Sequence, residues 1–137
     1  MIDAVNVATQ AVDVNGNIIF GSTRILTGCS ARHEPGSGRF VLLKPGIYEI
    51  EFNANVSIPT GGTVGPITLS IVQDGESVAG SKMVFTPAAV DELGNVSATI
   101  LVRVYEQCCC TTLSVRNDTL ATTINVQDAN FVITRHC

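Results

Sequence analysis

Residues 46–58, GIYEIEFNANVSI, alternate without a break. Tyr48, Ile50, Phe52, Ala54, Val56 and Ile58 fall on every second position, and Glu49, Glu51, Asn53, Asn55 and Ser57 fall between them. A helix would scatter the six apolar side chains around its axis, whereas a period of two puts them on one side of a pleated sheet. At about 3.3 Å per residue such a strand spans roughly 40 Å, enough to cross a small β domain and pair on both edges. The rest of the chain has to pack against it.

At 137 residues the chain is the size of one domain with one core, and the whole of 1–137 is read as such. Residues 1–20 are expected to form an N-terminal β-ribbon and residues 39–137 the main body. In the ribbon, Val5, Val7, Val12 and Val14 lead to Asn15-Gly16 and then Ile18, Ile19 and Phe20. Asn-Gly between such runs predicts a type I′ hairpin, because both central residues need positive φ. Gly28, Pro35, Gly36 and Gly38 break the pattern over 21–38, so that stretch is expected to be a surface connection carrying Cys29, His33 and Glu34.

A strand over 39–44 then turns at Pro45-Gly46 into the long one. After a Gly-rich loop at 59–66, Ile67, Leu69 and Ile71 alternate with Thr68 and Ser70, and Asp74-Gly75 turns the chain back. Val78, Met83, Val84 and Phe85 make the return. Residues 86–95 form another loop, in which 88–93 is too short to anchor a helix. Over 96–105, Val96, Ala98, Ile100, Val102 and Val104 alternate with Ser97, Thr99, Leu101, Arg103 and Tyr105, giving a second long strand. Shorter strands follow around Leu113 and Val115, Ile124 and Val126, and 131–133, with turns at Asn117-Asp118 and at 128–130.

Eight to ten strands, frequent turns and no helical period imply an all-β, double-layer antiparallel sheet, most naturally a jelly-roll β-sandwich. Its predicted core is Tyr48, Ile50, Phe52, Val56, Ile67, Leu69, Ile71, Ile100, Val102, Val104 and Ile124.

The composition narrows the function. Lys and Arg total 8 against 12 carboxylates, never form a stripe, and leave a net charge of −4, which argues against nucleic acid as a partner. No apolar run reaches the roughly eighteen residues of a membrane helix, so no membrane partner is expected. The start Met1-Ile2-Asp3 lacks a basic and apolar leader, so the chain is expected to be made in the cytoplasm. With 45% hydrophobic and 15% charged residues and a mean hydropathy of +0.33, the chain is apolar for a monomer, which points to buried oligomer interface.

Five cysteines, three of them adjacent at Cys108, Cys109 and Cys110, do not make a secreted disulfide framework. They read as thiols in a reducing compartment, and the triplet is expected not to be an obligatory disulfide site. The sharper alternatives are bridging between chains, or a zinc site that would need Cys29, His33, His136 or Cys137 to converge. A Cys-His dyad of Cys29 with His33 or His136 has no flanking signature. Glu49 and Glu51 lie about 7 Å apart on one strand face, a spacing open to paired carboxylates but ordinary for a solvated or interface face. No catalytic, cofactor-binding or metal residue is assigned, and no enzyme activity is expected.

Several stretches together carry a family likeness: Pro45-Gly46-Ile47-Tyr48-Glu49-Ile50 leading to Asn53-Ala54-Asn55-Val56, the Asp74-Gly75 hairpin, and a long strand running toward cysteines. Thr112-Leu113-Ser114-Val115-Arg116-Asn117 and Asn130-Phe131-Val132-Ile133-Thr134-Arg135 complete the set. This pattern resembles the complement and tumour-necrosis-factor type of jelly roll over about the last hundred residues, and is similar to versions in phage structural proteins and spore-surface proteins of Gram-positive bacteria. The resemblance implies a compact homotrimer with strands 46–58 and 96–106 adjacent in the sheet facing the threefold axis. On that reading Glu49, Glu51, Leu101, Arg103 and Tyr105 form the trimer interface, with Arg103 pairing Glu49 or Glu51 within or between chains.

The chain carries no Gly-x-y stalk ahead of the domain, a departure from the complement and spore-surface arrangement. The expected function is a virion structural protein, a trimeric phage capsid decoration (cement) protein whose partner is a capsid or other virion protein. The alternative is a receptor- or glycan-binding module of a phage fibre or spore surface, reading its ligand through loops 21–38, 59–66 and 86–95.

Overall fold

In the computed structural model, which describes residues 1–105, 111–120 and 122–136, the chain is all β. Its strands are β1 (Ile2–Asn6), β2 (Gln10–Val12), β3 (Ser22–Leu26), β4 (Ala31–His33), β5 (Phe40–Leu42), β6 (Gly46–Ser57), β7 (Ile67–Gln73), β8 (Glu76–Ser77), β9 (Met83–Phe85), β10 (Gly94–Val104), β11 (Thr111–Asn117) and β12 (Ile124–Arg135). Two antiparallel sheets face each other. The first runs β10-β6-β12-β1-β3, with β2 also on β12; the second runs β4-β5-β11-β7-β8, with β9 also on β7.

The long strand holds the central place expected of it. β6 pairs with β10 on one edge, from Gly94↔Val56 to Val104↔Gly46, and with β12 on the other. Its apolar set faces the second sheet: Tyr48, Ile50, Phe52, Ala54 and Val56 are buried, and every residue of the predicted core lies in the core. Beyond the predicted core, Phe20, Phe40 and Phe131 join Phe52 in an aromatic centre, Phe40 stacking on Phe131 at 4.4 Å. The Tyr48 hydroxyl is buried too, and donates to the carbonyls of Lys44 (2.6 Å) and Ser30 (3.2 Å), fastening the start of β6 to two loops.

The Asp74-Gly75 turn forms as predicted. Both residues have positive φ (51° and 89°), and the flanking pairs are Gln73↔Glu76 and Val72↔Ser77. The return then splits into β8 and β9.

Three local expectations differ from the structure. The strands within residues 1–20 do not pair with one another as a ribbon: β1 lies between β12 and β3, and β2 adds to β12. At Asn15-Gly16 only Asn15 takes positive φ (63°), so the turn is not type I′. The reason is tertiary. Asn15 N–H donates to the Asn117 carbonyl, Asn117 N–H donates to the Gly16 carbonyl, and Asn17 bridges Arg116, so the chain crosses from the first sheet to the second instead of folding back on itself.

Residues 21–38 are not simply a surface connection, for they hold β3 and β4, and His33 is buried. The expected turn at 128–130 is a bulge inside one twelve-residue strand: Asp128 takes φ 51°, and the pairing of β12 with β6 shifts register between Gln127 and Asn130.

Candidate functional site

The outer face of the first sheet is built by the same alternation that fills the core. With Tyr48, Ile50 and Phe52 turned inward, Ile47, Glu49, Glu51 and Asn53 point outward. In β10, Val102 and Ile100 face in, so Arg103, Leu101 and Thr99 face out. Register then sets the rows: Leu101 opposite Glu49, Thr99 opposite Glu51, and Arg103 opposite Ile47. Across β6, Thr134 stands opposite Glu49 and Val132 opposite Glu51, and Asp3 of β1 stands opposite Val132. Glu49, Glu51, Leu101 and Arg103 thus share one surface, and Tyr105 continues its alternation just past the end of β10.

Much of that surface is hydrocarbon. Leu101 is 65% exposed and Tyr105 60%, and Ile47 beside them is also open to solvent. The Arg103 guanidinium lies over the Tyr105 ring, 5.0 Å from its centroid, a cation–π contact. Among the described residues Arg103 forms no salt bridge, so the within-chain pairing with Glu49 or Glu51 is not formed. Ile47 occupies the position opposite Arg103, the Tyr105 ring takes its guanidinium, and Glu49 is engaged by His136 (Nε2···Oε2 3.1 Å).

His136, weighed in the sequence only as a zinc or dyad candidate, belongs to this face. Its signal was the alternation of Val132, Thr134 and His136 against buried Phe131 and Ile133. Asp3 was missed: it takes Arg24 at 3.3 Å and accepts a hydrogen bond from the Asn130 amide.

Of the residues weighed for catalysis or zinc, Cys29, His33 and His136 do not come together. His33 is buried, with Nε2–H donating to the Ser37 carbonyl (2.9 Å), which leaves Nδ1 to accept from the Thr23 hydroxyl (2.7 Å). Its ring stacks on Phe40 at 4.3 Å. Both nitrogens are therefore engaged away from Cys29, which is an exposed free thiol, and His136 sits on Glu49. Among the described residues no three His, Cys, Asp or Glu side chains are grouped to hold a metal. Cys108, Cys109, Cys110 and Cys137, with the expectations attached to them, lie outside the described residues.

On the outer face of the second sheet, Asp118 accepts from Arg116 Nε (2.6 Å) and from the buried Ser70 hydroxyl, and Arg116 also donates to Ser77 (2.8 Å). Burial alone would raise the Asp118 pKa. The hydrogen bonds from Arg116 and Ser70, with the charges of Arg116 and Lys82, outweigh it and hold the carboxyl below its usual range. This cluster ties β11 to β7 and β8.

No family model and no curated protein matches the sequence. Solved structures do match the fold. Murine APRIL superposes with a TM-score of 0.71 at 7% identity, over 98% of this chain and 98% of that one. Eiger TNF from S. frugiperda gives 0.72 at 10% identity, over 99% and 92%. The globular domain of zebrafish complement 1qA protein gives 0.67 at 12% identity, over 98% and 97%. At these identities the likeness is one of fold: the chain is a jelly roll similar in fold to these tumour-necrosis-factor-like and complement domains, in line with the resemblance in its sequence.

Proposed function

We propose that this chain is a non-enzymatic, homotrimeric jelly-roll module, and that the trimer is a structural protein of a virus particle, a capsid decoration (cement) protein of a phage. The observation that carries the assembly is the outer face of the first sheet. Leu101 and Tyr105 stand well over half exposed beside Ile47, between carboxylates and an Arg103 that has no carboxylate partner among the described residues. A sheet face in water gains nothing from such side chains, whereas packing against a second copy removes them from solvent at about 25 cal/mol per Å². The virion placement is supported by composition: charge is sparse and hydropathy high, as suits a protein whose surface is spent on other protein surfaces.

Particles from the source lysate, banded on a density gradient and probed with an antibody to this chain, test the placement. Co-migration with the capsid protein in a copy number divisible by three is expected. Recovery of the chain only in particle-free fractions would contradict it.

A second reading, a receptor- or glycan-binding module of a phage fibre or a spore surface, has its own support. The loops at 59–66 and 86–95 meet at one end of the sandwich, where the Thr60 hydroxyl donates to Asp91 and Asp91 N–H donates to the Ile58 carbonyl. Selective binding on a glycan array would favour it.

A further inference from the structure

The outer face of the second sheet carries cations that the fold does not use. Strand register places Arg32 opposite Val41 and Val41 opposite Thr112, while Arg39, one residue before β5, falls in the row of Ser114 and Val72. A groove of about 400 Å³ opens there, lined by Asn15, Asn17, Arg39, Thr112, Ser114 and Arg116. Arg39 also walls a neighbouring cleft of about 350 Å³ that contains Arg32 and Glu34. Arg116 is held by Asp118 and Ser77. Neither the Arg32 nor the Arg39 guanidinium makes a salt bridge or a hydrogen bond among the described residues, and both are exposed.

We infer that this groove binds a carboxylate-bearing saccharide, its carboxylate on Arg39, where the groove meets the cleft of Arg32, and its hydroxyls on Asn15, Asn17, Thr112 and Ser114. The chemistry of the walls selects that class. A guanidinium offers a planar fork of donors that matches a carboxylate. Amide and hydroxyl side chains both donate and accept, as sugar hydroxyls do. A peptide would need an apolar pocket for an anchoring side chain, and the hydrocarbon in this floor is Val72 and Leu113, both buried.

Two nearby carboxylates are spoken for: Asp74 accepts from Thr112 N–H and its hydroxyl, and Asp118 is bound to Arg116. Glu34, in the row of Arg39 by the pairing of β4 with β5, lines the cleft that Arg39 walls and competes for its guanidinium. No aromatic ring lines the groove, so binding at one groove is weak, and several copies in an assembly would add avidity.

The inference deepens the recognition reading but uses the fold of one chain only, so it stands or falls apart from assembly and from what the loops at 59–66 bind. The test is NMR or calorimetric titration of the intact protein with sialyllactose, lactose and sodium sulfate. Sialyllactose is expected to bind and lactose not. Arg39→Gln should weaken binding roughly tenfold, the loss of one charge-assisted contact, and Glu34→Gln should strengthen it. Arg135→Gln, on the other sheet, is the folded control.

Absence of sialyllactose binding, equal binding of lactose, or sulfate binding as tightly as the saccharide would overturn the groove. So would undiminished binding in an Arg39→Gln protein that remains folded. Array binding of neutral glycans that Arg39→Gln leaves intact would remove the groove while keeping a recognition role.

Discussion

Asn117 does as much as any single side chain to hold the two sheets in place. It is fully buried at the end of β11, where its amide donates to the carbonyls of Val12 (3.0 Å) and Asp13 (3.2 Å) and its oxygen accepts from Thr119 N–H (3.0 Å). Removing it strands several buried backbone groups together, so Asn117→Ala should cost about 2 to 4 kcal/mol, read as a lowered midpoint in urea. Its neighbour Asp118 gives the fold an acid-sensitive contact. A carboxyl whose folded pKa lies below the unfolded value of about 3.9 contributes fully above that pH, and the contribution is lost as pH falls through the folded pKa. Thermal melts of wild type and Asp118→Asn should therefore differ at pH 7 and converge in acid. A constant gap across the whole range would show that the Arg116 and Ser70 bonds do not set the carboxyl's ionisation.

Among the elements, β10 needs a glycine where it meets β9. A Cβ on Gly94 would run into the Phe85 ring, well inside contact distance, so Gly94→Ala must displace the ring from the edge of the core. A loss of about 1 to 3 kcal/mol is expected, relieved when Phe85→Leu is added, which a double-mutant cycle measures. What could be read from sequence followed element length and self-sufficiency. β6 and β10 were legible because eleven or more residues alternate without interruption, and one wet face fixed their direction. β3 and β4 were not: five and three residues long, they exist because β1 and β5 offer edges, and nothing local in a Gly- and Pro-broken stretch announces those partners. His33 was misplaced with them. The Asp128 bulge looks locally like a turn, since the positive φ that Asp tolerates serves both, and only pairing with β6 on either side separates the two. Alternation turned the five residues assigned to the interface outward and the family resemblance made their two strands neighbours, whereas His136 and Asp3 could be added only once β12 and β1 were known to flank β6.

For the whole molecule the question is what covers the outer face of the first sheet. Arg103 rests on Tyr105 in the single chain, and in the proposed trimer its expected partner is Glu49 or Glu51 of a second copy. Replacing it with Glu would set like charges against one another, a loss of about 3 to 5 kcal/mol per broken pair where the pair is buried. Leu101→Asp attacks the apolar part of the same face without touching the core, since Leu101 is 65% exposed. Both variants should retain wild-type circular dichroism while losing assembly. The most direct test is light scattering on the purified wild-type protein at low micromolar concentration. A mass three times the 14.4 kDa of the chain is expected; a mass of 14.4 kDa would mean that this face is not an interface between copies of the chain.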